Sequence, residues 1–306
     1  MKWNRRDFLK STAATGVALS ARPLWGATSA SPKYRTAIIG TGWWGMNILG
    51  EAMASDACRI VAMSDVDQRV LNPAAERVRS LSGDQPKLYR DYRELLEREK
   101  PEICIVASPD HWHPLQTIDA VKAGAHVYVE KPISHTIREG RAMVNAARET
   151  GKVVQVGTHR RISPHNVSAR EFIRSGKLGK VGMVRAFVHY GGGPETAVQN
   201  KEAPKEIDWN LWCGPAPMRH YCDNFPQMWG NAIHPRGFRN YLDYANGTLG
   251  DWGIHWMDQI LWILDAKSPN TVHSSGGRNI AGPPISIFSM AVSRSVPGRA
   301  TVFSNG

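Results

Sequence analysis

Between residues 34 and 157 the chain alternates short apolar runs with longer segments of helical periodicity. The apolar runs are rich in Val and Ile and almost uninterrupted by polar residues, which is typical of strands buried on both faces of a parallel sheet. The predicted strands are 34–39, 59–64, 103–107, 126–129 and 153–156, and the predicted helices lie near 44–55, 68–80, 91–99, 114–123 and 136–150. This alternation predicts a doubly wound parallel α/β sheet.

A glycine-rich turn follows the first predicted strand. Gly40, Gly42 and Gly45 form a G-x-G-x-x-G pattern that includes Trp44 and opens a helix, and Asp65 ends the second strand twenty residues later. Such glycines allow a tight turn and let a pyrophosphate approach the backbone at a helix N-terminus. A carboxylate at the second strand would bind ribose hydroxyls and repel a 2′-phosphate, so we predict a Rossmann domain that binds NAD rather than NADP. The alternative is a structural glycine turn with a surface Asp.

The N-terminus has the pattern of an export signal. Arg5 and Arg6 precede Phe8-Leu9-Lys10, an apolar run over 11–21 and small residues over 27–30. This order resembles a twin-arginine signal, which predicts export through the twin-arginine translocase and a periplasmic location. The run is too short to span a bilayer, and no other segment approaches that length, so no integral membrane segment is expected after signal removal. A chance amphipathic N-terminus is the alternative.

Composition changes the picture only slightly. The formal net charge is +11 over 306 residues, and removing residues 1–30 takes away five basic residues and one acidic residue, which leaves +7. The remaining basic residues are scattered and are not interleaved with aromatic residues, so a nucleic-acid partner is not expected. Cys213 and Cys222 are nine residues apart and are interpreted equally well as a disulfide or as free thiols.

Four further motifs resemble the glucose–fructose oxidoreductase, inositol dehydrogenase and rhizopine catabolism (Gfo/Idh/MocA) family. They are Ala107-Ser-Pro-Asp-His-Trp-His113, Glu130-Lys-Pro132, Gln155-Val-Gly-Thr-His-Arg-Arg161 and Gly250-Asp-Trp-Gly-Ile-His-Trp-Met-Asp258. The resemblance implies a second α+β domain with an open, mainly antiparallel sheet, whose outer face commonly forms a homo-oligomer interface. We therefore divide the chain into a signal (1–30), a nucleotide-binding domain (31–158) and a substrate and oligomerisation domain (159–306). Strands are predicted at 182–190, 270–276, 286–294 and 299–304, and family members usually continue beyond this point, so the second domain is expected to be incomplete.

The resemblance assigns the chemistry to Lys131, which could hydrogen-bond a substrate hydroxyl and the nicotinamide ribose and stabilise charge on oxygen. A helix predicted over 251–264 places Asp251 and His255 on one face, and its nearly all-round apolar character predicts burial. We interpret His255 as the acid/base and Asp251 as its partner. The alternatives are Lys131 as the base and a purely structural Asp–His pair in the core.

The remaining candidates surround this centre. The motifs place Ser108, His113 and Glu130 beside the cofactor, and Trp112 and Arg160 beside the substrate. A metal site built from His111, His113 and a later His is not expected, because hydride transfer needs no metal and His-x-His alone does not make a site.

These features predict an NAD(P)-dependent oxidoreductase acting on a hydroxyl of a sugar, polyol or cyclitol. Combined with folded export, they suggest a bound cofactor that does not exchange during turnover. The alternatives are a redox-neutral NAD-dependent glycosidase, epimerase or lyase of the same family, and a non-catalytic sugar- or nucleotide-binding protein.

Overall fold

A computed structural model of the protein describes residues 33–186, 198–224, 232–247 and 249–268. Its centre is a six-stranded sheet with the order β3-β2-β1-β4-β5-β6, in which every neighbouring pair is parallel. The strands are β1 (Tyr34–Ile39), β2 (Cys58–Ser64), β3 (Lys87–Tyr89), β4 (Ile103–Val106), β5 (His126–Val129) and β6 (Val154–Val156). The strand order reverses between β1 and β4, which is where doubly wound sheets bind ligands.

Helices connect these strands and cover both faces of the sheet. They are α1 (Trp43–Ala54), α2 (Gln68–Ser82), α3 (Tyr92–Glu99), α4 (His113–Lys122) and α5 (Ile137–Thr150), followed by α6 (Pro164–Arg174), α7 (Trp209–Cys213) and α8 (Ile254–Leu264). The residues at the two ends of α5 show why this segment is helical. Thr136 and Glu139 form a reciprocal capping box at the start of α5, and Gly151 ends the helix with φ +65°.

The alternation of side chains along the strands builds two separate cores. In β1, Ala37 and Ile39 pack on one face with apolar residues of α3, α4 and α5. Ile38 points to the other face and packs with apolar residues of α1 and α2. Because both faces are buried, consecutive positions in the central part of β1 are apolar, which explains the apolar run in the sequence.

The second half of the chain packs onto the carboxyl end of this sheet. A third cluster of buried residues includes Trp212, Phe238 and Tyr244. The 204–208 segment lies against the chain just after β2: Gln68 N donates to Glu206 O at 3.0 Å, Asp208 N donates to Val66 O at 2.9 Å, and Asp67 and Ile207 form an antiparallel bridge. A buried polar contact lies beside it, since His234 Nε2 lies 2.9 Å from Asp67 Oδ2.

Several expectations need correction. No strand is predicted at β3, which is three residues long and mostly exposed at the sheet edge. Residues 182–186 of the predicted strand 182–190 are irregular, and the rest of it lies outside the described residues, as do 270–276, 286–294, 299–304 and the signal region 1–30. The predicted helix 251–264 begins as a π-helical turn, Leu249–Gly253, and α8 is only partly buried, with Trp252 just before it 36% exposed.

Candidate active site

The glycine turn has the shape that a pyrophosphate requires. Gly40 has φ +92°, and a Cβ at that position would lie 2.6 Å from the backbone nitrogen of Ser108 at the end of β4. A Cβ on Gly45 would lie 2.2 Å from the carbonyl oxygen of Gly40. Gly42 is the N-cap of α1, so the free amides of the first helical turn face this concavity. The described residues therefore fit a dinucleotide phosphate group.

Asp65 lies beside this turn, as predicted. Its Oδ2 accepts hydrogen bonds from the Thr41 backbone nitrogen at 2.7 Å and the Thr41 hydroxyl at 3.1 Å, and its Oδ1 accepts one from the Asp67 nitrogen at 3.0 Å. These contacts fix the carboxylate at the carboxyl end of β2, the place where a ribose binds in this fold.

A cavity of about 470 Å³ extends from the glycine turn to the ends of β4 and β5. All of the predicted site residues line it, although they come from six separate parts of the sequence: Gly40, Gly42, Trp44, Gly45, Asp65, Ser108, Trp112, His113, Glu130, Lys131, Arg160, Asp251 and His255. The fold thus brings the predicted cofactor residues and the predicted catalytic residues to one space.

An ion-pair cluster lies at the β5 end of the cavity. Lys131 Nζ lies 2.7 Å from Asp251 Oδ1 and 3.0 Å from the Asp251 carbonyl oxygen, and the Lys131–Pro132 bond is cis. Arg239 Nε lies 3.3 Å from the other carboxylate oxygen, Oδ2. Burial would raise the pKa of Asp251, but the charges of Arg239 and Lys131 outweigh it and hold that pKa below its ordinary value. Asp251 is therefore an anion that positions two cations.

Asp251 is predicted to be the partner of His255; its carboxylate oxygens are bonded to Lys131 and Arg239 instead, and it acts on His255 through its charge. Residue 251 belongs to the π-helical turn, which has more residues per turn than an α-helix and so lacks the i,i+4 stacking that an α-helix would give. His255 has no hydrogen bond to the described residues; its ring lies 4.9 Å from that of His159 and 6.2 Å from that of Trp252, centroid to centroid. Burial and the charge of Lys131 lower the pKa of His255 to about 4, so its imidazole is neutral at pH 7.

Three predicted cofactor residues hold the loops of the site together. The ring nitrogens of His113 lie 2.7 Å from the carbonyl oxygens of Ser108 and Pro132, which ties the β4 loop to the β5 loop. The Ser108 hydroxyl donates to Gln116 Oε1 at 2.6 Å. Glu130 Oε1 accepts from the Tyr128 hydroxyl at 3.1 Å and its Oε2 from the Lys131 nitrogen at 3.2 Å. Their polar atoms are thus engaged within the protein.

Of the two predicted substrate residues, Trp112 has a mainly structural position. It is 8% exposed, and its indole N–H lies 3.0 Å from the carbonyl oxygens of both Leu211 and Trp212. The indole therefore anchors α7 to the β4 loop. The Arg160 guanidinium lies 4.3 Å from the centroid of the Trp256 ring, and its Nε is buried without a hydrogen bond.

The charged residues of the cavity that the sequence did not identify as site residues include Asp110 and Arg239. Asp110 stands in the middle of the quoted Ser-Pro-Asp-His-Trp-His motif, so a carboxylate in a ligand-facing loop was an available signal. Arg239 lies in a 3₁₀ turn, Gly237–Asn240, more than one hundred residues after Lys131, and no local pattern identified it.

The structure also describes two of the cysteines, the histidines considered as metal ligands and the lengths of the helices. Cys213 and Cys222 are both buried and both free. Within the described ranges, no group of three His, Cys, Asp or Glu residues is arranged to hold a metal ion, and His111 Nε2 instead lies 3.0 Å from the Trp212 carbonyl oxygen. No described helix is long and apolar enough to cross a membrane.

Comparison with known families agrees with this geometry. Residues 34–158 match the Gfo/Idh/MocA oxidoreductase family's NAD-binding Rossmann fold, and residues 179–279 match the family's C-terminal alpha/beta domain. The chain belongs to the Gfo/Idh/MocA family. The predictions of the fold class and of NAD as cofactor are thereby confirmed.

Curated members of the Gfo/Idh/MocA family resemble the chain over part of their length. A glycosyl hydrolase family 109 protein of Shewanella pealeana is 26% identical across 81% of this chain and 66% of its own length. The alpha-N-acetylgalactosaminidase of Shewanella oneidensis is 25% identical across 81% of this chain and 56% of its own. The inositol 2-dehydrogenase of Rubrobacter xylanophilus is 31% identical across 51% of this chain and 44% of its own. The chain thus spans roughly half to two thirds of these relatives.

Solved structures show the same fold. The WlbA dehydrogenase of Bordetella pertussis, solved with NADH and UDP-GlcNAcA, has a TM-score of 0.56 and 19% identity over 83% of this chain and 62% of its own. An NAD-binding protein of Listeria innocua has a TM-score of 0.54 and 24% identity over 76% of this chain and 56% of its own.

Proposed function

We propose that the protein is an NAD-dependent oxidoreductase that acts on a hydroxyl group of a sugar, polyol or cyclitol. The observation that carries this proposal is the position of Lys131: it ends β5, faces the same cavity as the glycine turn, and is clamped by Asp251. Bound NAD would rest on the glycine turn and Asp65 and would supply the hydride acceptor. Inositol and sugar dehydrogenases among the relatives agree with this class of substrate.

Each residue of the cluster has a distinct task in this mechanism. Lys131 donates a hydrogen bond to the substrate oxygen and stabilises the negative charge that develops there as the hydroxyl proton leaves, before the hydride passes from carbon to the cofactor. Neutral His255, which has no hydrogen bond to the described residues, accepts the hydroxyl proton directly or through water. Asp251 and Arg239 keep the lysine in place. The apolar walls around the cavity, including Trp252 and Phe238, exclude water from the reacting carbon.

A redox-neutral reaction is the second candidate, and a specific observation favours it. Two of the relatives quoted above are named as glycosyl hydrolases or as an alpha-N-acetylgalactosaminidase, and they cover 81% of this chain. In such a reaction, transient oxidation of a sugar carbon would acidify the neighbouring C–H bond and permit elimination. The same Lys131 and His255 would serve that oxidation.

A retained cofactor is part of the proposal. The 204–208 segment packs on residues 66–68, directly after Asp65, where the adenosine ribose would bind, and this packing supports slow release of NAD. The twin-arginine signal proposed for residues 1–30 would export the protein folded with its cofactor, into a compartment with little free NAD. Both parts are tested by exchange of bound NAD against labelled NAD after purification, since rapid exchange contradicts retention.

The decisive experiment is Lys131→Met, with Lys122→Met as control. Lys122 is exposed in the last turn of α4, outside the cavity. Incubation of NAD-loaded protein with inositols, hexoses and a nitrophenyl N-acetyl-α-galactosaminide would be followed by NADH absorbance and by nitrophenol release. We expect Lys131→Met to lower turnover by about 10²–10³-fold with NAD still bound, and Lys122→Met to leave it unchanged. Equal turnover in both variants would refute the assignment.

A further inference from the structure

One carboxyl in the cavity has no role in the mechanism above. Asp110 lies in the 3₁₀ turn Asp110–Trp112 that follows β4, and it is 3% exposed. Its Oδ2 is buried and has no hydrogen-bond partner. A buried carboxyl oxygen without a partner is costly, and proteins rarely keep one unless it serves a ligand, a water or an ion.

The other described carboxylates of the same cavity are already engaged. Asp65 is bonded to Thr41, and Asp251 is bonded to Lys131 and Arg239. Glu130 accepts from Tyr128 and from a backbone nitrogen, and Asp91 is paired with Arg93. Among the described acidic residues that line the cavity, Asp110 therefore provides the buried oxygen, Oδ2, that can accept a hydrogen bond from the O–H or N–H group of a ligand.

Asp110 lines the same cavity as the residues of the ion-pair cluster, Lys131, Arg239 and Asp251, and their charges act on it. Burial raises its pKa to about 7; Arg239 and Lys131 oppose this rise and Asp251 adds to it. Asp251, by contrast, is held anionic. The pKa values of these two carboxyls are shifted in opposite directions, which is typical of groups with different tasks. Asp251 is a fixed negative charge, whereas Asp110 can change its protonation when a ligand binds.

We propose that Asp110 is a substrate-binding residue whose Oδ2 accepts a hydrogen bond from a hydroxyl group of the polyol or sugar. It acts beside Lys131 and holds a hydroxyl other than the one that is oxidised, so the site selects substrates with at least two hydroxyl groups near each other. This inference rests on the proposed function for its class of ligand. The carboxamide N–H of nicotinamide has the same donor chemistry, and the experiment separates the two sources.

The test compares wild-type protein with Asp110→Asn, which has nearly the same shape. Calorimetric titration of NADH-loaded protein measures the affinity for myo-inositol, scyllo-inositol, galactose and N-acetylgalactosamine, and for the single-deoxy analogues of whichever binds. We expect Asp110→Asn to weaken binding of the parent compound by roughly 10- to 150-fold. It should also lose the preference for the parent over one particular deoxy analogue, while its affinity for NADH is unchanged. Loss of NADH affinity instead, or a wild-type protein that binds none of these compounds, overturns the proposal.

A second measurement covers the case in which the variant folds poorly. Glu99 is a matched control, because it is a buried carboxylate (7% exposed) whose Oε1 accepts hydrogen bonds from Lys87 and Tyr89, away from the cavity. Ligand-free Asp110→Asn should melt at or above the wild-type temperature, and Glu99→Gln should melt below it. A lower melting temperature for Asp110→Asn, similar to that of Glu99→Gln, would show a structural role and overturn the proposal. Binding without turnover would leave Asp110 as a ligand residue and contradict only the proposed oxidoreductase.

Discussion

Replacing Asp251 with Asn should destabilise the fold as well as the site. The Asp251 side chain is 11% exposed, and both its oxygens are engaged, one by Lys131 and the other by Arg239. An amide there leaves two largely buried cations without a counter-charge. Removal of one partner from a buried ion pair costs about 3–5 kcal/mol, because the remaining charge keeps its desolvation penalty. At about 2–4 °C per kcal/mol for a domain of 150–250 residues, this corresponds to a fall in melting temperature of roughly 6–20 °C.

The assay is thermal unfolding followed by circular dichroism at pH 7, with Glu94→Gln as the control. Glu94 and Arg98 form an exposed pair at 3.6 Å on α3, with side-chain exposures of 57% and 66%. Such surface pairs contribute about 0–1 kcal/mol, so this variant should melt within a few degrees of wild type. If Asp251→Asn melts as high as Glu94→Gln, Lys131 and Arg239 do not depend on this carboxylate and the argument fails.

Three more outcomes follow from the described contacts. Because burial raises the pKa of Asp110 to about 7, its contribution to stability is complete below about pH 4 and is lost as the pH rises through 7. In urea unfolding, the free energy of unfolding of Asp110→Asn relative to wild type should therefore rise by up to ~4 kcal/mol between these pH values. An equal difference at both pH values would contradict this pKa. Gly45→Ala should abolish NADH binding, measured by fluorescence, because its Cβ would meet the Gly40 carbonyl oxygen; Gly50→Ala on the same helix, with open space around it, should bind normally. Trp112→Phe should speed amide hydrogen exchange in Trp209–Cys213, because it removes the indole N–H that donates to the carbonyl oxygens of Leu211 and Trp212. Unchanged protection from exchange would show that the indole does not anchor this helix.

The nucleotide-binding half was predictable because its signals are local. Strands buried on both faces have runs of consecutive apolar residues, and the glycine turn has a fixed spacing, so β1, α1 and Asp65 were placed correctly from the sequence alone. The three-residue strand β3 was missed, since a short exposed edge strand buries too little to leave an apolar run. Local patterns therefore specify the sheet and its phosphate-binding turn.

The candidate site was only half predictable, because its decisive contacts join distant segments. Lys131 and Asp251 were both identified, but their contact spans 120 residues and replaced the expected Asp251–His255 pair. The π-helical turn that causes this change is a departure of a few residues from α-helical geometry, which hydrophobic periodicity does not detect. Arg239 had no local signal, and Asp110 was recognisable only once its buried, unbonded oxygen was located.

The contact of the 204–208 segment with the end of β2 has a practical consequence for dividing this chain. Asp67 is almost fully buried, with its carboxylate bonded to Arg69 and to His234, which lies 167 residues further along the chain. A recombinant fragment that stops at residue 158 would carry the whole parallel sheet, yet it would expose Val66 and Trp112 and leave Asp67 without His234. Such a fragment should be prone to aggregation, whereas one that extends through residue 247 would keep these contacts. The boundary between the two family domains is therefore not a boundary between independently stable pieces.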